Sequence, residues 1–162
     1  SDYVCEISES ENIHYEIDGC SAPVPFFNLE TIAKMFQKLA LREKIELNRV
    51  FNAMASHPLL VGGTNNFDSA FIQALGGRGI TKVGGESVRG ISIRTKKHGP
   101  IGIAMKVLDG NFRVLPIATM KLLDHLQLLE EEEQKQLSHY TTKILKNHNN
   151  LDVGKIEAYI DF

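Results

Sequence analysis

The sequence has little cysteine, no excess of charge and no long apolar run, and each shortage removes a class of function. Only two cysteines, Cys5 and Cys20, occur in 162 residues, with neither zinc-finger spacing nor the look of a disulfide framework. No Asn-x-Ser/Thr acceptor is present, and the expected setting is reducing and cytoplasmic. Formal net charge is −2, from 18 basic and 20 acidic residues. That balance leaves no electrostatic footprint for nucleic acid or an anionic membrane. No stretch is apolar enough to span a bilayer, and no signal-peptide pattern is found. The six histidines are scattered without metal spacing, and neither Ser-x-x-Lys nor Gly-x-Ser-x-Gly occurs. The Gly84-Gly85…Gly90 spacing lacks the strand, turn and helix order of a dinucleotide loop.

What is present suffices for one core. With 43% hydrophobic residues, residues 1–162 read as a single unit. Tyr3, Val4 and Ile7 share one helical face, and Ser1 is placed to cap it. With no initiator Met, this reads as the tail of a helix whose preceding structure is missing, or as a processed or engineered start. Apolar surface left bare there would favour self-association, so a homo-oligomer is expected.

Asn28 is an N-cap for a helix whose inner face carries Leu29, Ile32, Ala33, Phe36, Leu39 and Ala40. A second helix runs through Ile45, Val50, Phe51 and Met54 to the His57-Pro58 pair. Asp68 is placed to start a short helix through Phe71, Ile72 and Leu75, which Gly76-Gly77 ends. Three strands are then expected at 80–83, 88–94 and 101–107, because apolar and polar residues alternate and the connectors are short enough for hairpins. After Asp109-Gly110-Asn111, a helix with Pro116 in its first turn should cover the sheet with Leu115, Ala118, Leu122 and Leu126. Glu130–Glu133 reads as the solvated first turn of another helix. Residues 153–160 read as an edge strand or docking segment. The fold class is α+β, an antiparallel sheet flanked by helices.

Two places carry candidate chemistry. His14, Glu16 and Asp18 alternate with Tyr15 and Ile17 as in a strand, which Gly19-Cys20-Ser21-Ala22-Pro23-Val24-Pro25 then breaks. Asp18 and Cys20 therefore sit together on an obligatory turn, where a rigid scaffold presents side chains to a site; a buried Cys beside a turn-forming Asp is the structural alternative. The second place is Lys82, on a strand in Thr81-Lys82-Val83-Gly84-Gly85. The glycines leave the strand bare enough for a ligand to approach at Gly84. An ordinary exposed strand lysine is the alternative.

Taken together, several segments resemble one family. They are Asp18-Gly19-Cys20-Ser21-Ala22-Pro23, then Met54 to His57-Pro58, Leu60-Val61-Gly62-Gly63, Phe67-Asp68, Thr81-Lys82-Val83-Gly84-Gly85-Glu86-Ser87-Val88, and Gly102 through Asn111. In this collinear order they are similar to the thermolabile, metal-associated asparaginases, whose fold is related to serine β-lactamases and glutaminases. The resemblance implies hydrolysis of the asparagine side-chain amide to aspartate and ammonia. It implies Asp18 as the active-site aspartate, Lys82 as the strand lysine beside the nucleophile, and Cys20 as a ligand of a zinc-type metal. Family members are longer and carry Ser-x-x-Lys, so the resemblance also implies a C-terminal half. A missing N-terminal half would then be its partner and bring the remaining metal ligands. A binding module that holds an amide or amino acid without hydrolysing it, and an inert structural fragment, are the other readings.

Overall fold

The computed structural model describes residues 2–161; the expected Ser1 cap lies outside them. Helix α1 (Asp2–Ser8) packs on α2 (Leu29–Leu41) within this chain. Ile7 is buried there, and its carbonyl accepts a 2.8 Å hydrogen bond from Lys38 Nζ. Asn28 caps α2 as expected, its Oδ1 accepting from Thr31 N at 2.8 Å. Helix α3 (Ile45–Ser56) stops at His57, whose backbone N–H bonds the Ala53 and Met54 carbonyls. Pro58 then begins the short α4 (Pro58–Gly62), an element not foreseen. Proline suits the first helical position because its missing N–H would be unpaired there anyway.

Helix α5 (Phe67–Ala74) leads into the central sheet of β3 (Gly79–Gly84), β4 (Val88–Thr95) and β5 (Gly99–Lys106). The strands pair antiparallel in the order β3-β4-β5, which makes β3 an edge. The expected meander is present, with each strand slightly longer than its alternation suggested. Between β4 and β5, Thr95 Oγ1 accepts from His98 N and donates to Gly99 O, and Gly99 takes φ +70.

Register assigns two different faces to this sheet. Ile80, Lys82, Gly90, Ser92, Gly102 and Ala104 lie on one; Thr81, Val83, Arg89, Ile91, Ile103 and Met105 lie on the other. Helix α2 crosses the first face, and the glycines admit it: a Cβ at Gly102 would collide with the Ala33 carbonyl oxygen and the Gln37 backbone, and one at Gly90 with the Phe36 ring. On the second face Ile91, Ile93 and Ile103 join Phe71, Met120 and Leu123 in the main core.

Helix α6 (Leu115–His125) supplies Met120 and Leu123 to that core, and of the expected stripe Leu115 is buried and Leu122 packs against the core. Leu115, Thr119 and Leu123 are buried, whereas Leu126 lies beyond the helix and is exposed. The polar Thr119 can face inward with them because its hydroxyl donates to the Leu115 carbonyl at 2.7 Å. Helix α7 (Glu131–Leu137) begins with a capping box between Glu130 and Glu133. Glu133 is not solvated as expected: it is buried and takes both Nε and Nη2 of Arg78. Two further hairpins stand apart from the central sheet, β1 (Tyr15–Ile17) with β2 (Pro23–Pro25), and β6 (Lys143–Lys146) with β7 (Asp152–Ile156).

The two sheet glycines should differ in tolerance. Gly102→Ala meets backbone that cannot turn aside and should lower unfolding free energy by about 3 kcal/mol, whereas Gly90→Ala meets a rotatable ring and should lose about 1 kcal/mol. Urea denaturation checks the order, with the midpoint falling and the slope unchanged.

Candidate active site

Edge strand β3 brings Lys82 to the wall of a cavity of about 380 Å³. The α4–α5 loop (Asn65, Asn66), Phe67 and Asp68 at the start of α5, and Phe112, Leu115 and Pro116 at the approach to α6 supply other walls, with Arg89 and Tyr140 also lining it. Gly62 lets the loop fold tightly onto α5: a Cβ there would come within 2.8 Å of Ser69 N. The Ser69 hydroxyl holds the loop from within, 2.9 Å from the Pro58 carbonyl oxygen and 2.7 Å from that of Gly63.

At the base of this cavity lies a buried ion pair. Asp68 Oδ1 accepts from Arg89 Nη1, and both side chains are 3% exposed. Arg89 Nη1 also donates to Thr81 Oγ1 at 3.0 Å, and the guanidinium lies 4.5 Å from the centre of the Phe67 ring. Tyr140 meets the far side of this group edge-on, its ring 4.9 Å from Phe67. Burial pulls the Arg89 guanidinium below the ordinary arginine range, with Asp68 opposing the shift, and burial raises the Tyr140 hydroxyl. Removing two charges from water is costly, so such a pair persists only where further hydrogen bonds satisfy it.

Asp68 Oδ2 supplies one of those bonds by accepting from Val83 N at 2.9 Å. The Lys82 ammonium stands 3.9 Å from the same oxygen and donates to the Val83 carbonyl at 2.9 Å. Arg89 neutralises Asp68, so the group Asp68, Arg89 and Lys82 carries one surplus positive charge at the cavity. Such a place attracts an anionic group and can keep an ammonium donor beside a reacting atom.

The chain matches the family described as L-asparaginase II over residues 2–158. It belongs to that family. Comparison with curated proteins gives no match.

The L-asparaginase II match corrects one expectation. A C-terminal half paired with a missing N-terminal half was anticipated because the chain lacks Ser-x-x-Lys; the match instead runs along nearly the whole chain, from α1 to beyond β7. The family's pattern is thus spread over all these elements. No helix among the described residues is long and apolar enough to cross a membrane.

Of the four candidate site residues Asp18, Cys20, Lys82 and Gly84, only Lys82 lines the cavity. Gly84 ends β3 opposite Val88. Asp18 and Cys20 lie exposed on the turn between β1 and β2, where Asp18 Oδ1 accepts from Cys20 N at 2.8 Å and Ala22 N at 3.0 Å. Among the described residues no group of three or more His, Cys, Asp or Glu could hold a metal ion. Cys20, a free exposed thiol, does not by itself fit the closed four-ligand set that zinc takes in structural sites.

Sequence reasoning read Asp68 as a helix-starting residue and as part of a family segment, with no role at the site, and passed over Arg89. A signal existed. Strand parity puts Arg89 on the same face as Ile91 and Ile93, and an arginine at an inward position requires a buried carboxylate. Asp68→Ala should therefore lower unfolding free energy by about 3–5 kcal/mol, because it strands Arg89. Lys82→Ala, at a half-exposed position, should change it by less than about 1 kcal/mol. Guanidinium denaturation of the two variants checks the contrast.

Proposed function

We propose that this protein is an amidohydrolase that converts asparagine to aspartate and ammonia, and that the cavity at Lys82 forms a wall of its substrate site. Family membership supports the reaction class. The observation that carries the assignment to this site is the Lys82 ammonium at the cavity wall, beside a carboxylate that Arg89 already neutralises.

In this reading one water is consumed: its hydroxyl replaces the amide nitrogen on the side-chain carbonyl carbon, and its other proton leaves with that nitrogen as ammonia. Lys82 holds or moves the proton that the attacking and leaving groups exchange. Gly84, at the end of β3 beside Lys82, lets the substrate approach the strand backbone. Asp18, on the β1–β2 turn away from the cavity lining, keeps one carboxylate oxygen its turn does not use, and its proposed role is to receive a substrate ammonium there. No serine of this sequence stands in a Ser-x-x-Lys context, so the nucleophile is left unassigned.

The same absence favours a second reading, an amide- or amino-acid-binding module without turnover. Ammonia release separates the two. The protein incubated with asparagine should release ammonia, and Lys82→Met should lower kcat/KM by about 100-fold or more, the scale of one lost proton-transfer group, with the fold unchanged by circular dichroism. Undiminished release by Lys82→Met would remove Lys82 from the reaction. Calorimetric binding of asparagine with no ammonia released would favour the module.

A further inference from the structure

Val83 lies on the free edge of β3, and side chains take up both of its main-chain polar groups. Its N–H donates to Asp68 Oδ2 at 2.9 Å, and its carbonyl accepts from Lys82 Nζ at 2.9 Å. The same Lys82 nitrogen stands 3.9 Å from Asp68 Oδ2, so carboxylate, peptide and ammonium close a triangle on the strand edge. The carboxylate corner is fixed from behind: Asp68 Oδ1 is bound to Arg89, which is itself held by Thr81 Oγ1 and the Phe67 ring.

We infer that Asp68 is a positioning residue, which sets the place of the Lys82 ammonium at the cavity and is itself set by Arg89. Two apolar residues of similar volume would fill the Asp68 and Arg89 positions without the desolvation of two charges. They could not accept the Val83 N–H or face an ammonium. A lysine side chain has four rotatable bonds, and a half-exposed one keeps that freedom unless something holds its end. Here one acceptor, the Val83 carbonyl on β3, and one opposite charge, Asp68 Oδ2 on α5 at 3.9 Å, restrict it to one place. The catalytic consequence rests on the role given to Lys82 above; the positioning itself does not.

The two parts are therefore tested by different readouts. In the nuclear magnetic resonance spectrum of the wild-type protein, a held Lys82 should show two inequivalent Hε protons, in contrast to a single averaged signal from the exposed Lys97. Averaged Lys82 Hε protons in the wild type would overturn the inference with no variant needed. In the double variant Asp68→Asn/Arg89→Met, which removes both charges together and keeps an acceptor for Val83 N–H, the Lys82 signals should merge. On the proposed reaction, kcat should fall about 100-fold with KM nearly unchanged, the scale lost when a reacting group is misplaced by about 1 Å. Inequivalent protons that survive the double substitution would overturn the positioning role. Merged signals with unchanged kcat would uphold it and contradict the role of Lys82 in turnover.

Discussion

The buried pair between Asp68 and Arg89 is the interaction on which the cavity depends. It joins the first turn of α5 to the middle strand of the sheet and reaches the edge strand through Val83. Remove either charge and the other is stranded in a place that water does not reach. The α4–α5 loop, Lys82 and the ring of Phe67 are all positioned relative to this pair. The wall is tied across elements: Asp68 on α5 binds Arg89 on β4 and Val83 N on β3, while Arg89 Nε stays buried without a partner.

The sheet is asymmetric for a related reason. One face is shaved to Gly90, Ser92, Gly102 and Ala104 so that α2 can lie against the backbone. The other carries isoleucines and, in the same parity, Arg89. Close approach on the first face fixes the sheet against α2, so the second can hold a charged pair in a defined place. Arg78 and Glu133 repeat the device at the opposite end of β3, where Glu133 also closes the capping box of α7. Buried charge on this sheet thus comes with a pairing element each time.

Much of this was legible in the residues. Alternation found the three central strands, the cap at Asn28 found α2, and Lys82 was picked out by the glycines that follow it. What stayed hidden has identifiable causes. Pro58 reads as a stop after α3, yet proline is also a helix starter, and it opens α4. The run Glu130–Glu133 looks solvated because nothing local shows that Arg78 lies opposite Glu133. Asp68 and Arg89 are 21 positions apart in the chain, and only their shared inward parity hints at the contact. The family itself was recognisable from collinear segments; the C-terminal half was inferred from the greater length of family members and the absent Ser-x-x-Lys, whereas the match runs through residues 2–158.

A double-mutant cycle on unfolding free energy between Asp68→Asn and Arg89→Met tests the central claim most directly. If the pair ties α5 to the sheet, each single substitution strands a buried group, and the double variant recovers much of the loss. The coupling should then be about 2–3 kcal/mol. Losses that add to within about 0.5 kcal/mol would show that the two side chains do not act together, and the account of the cavity built on them would fall.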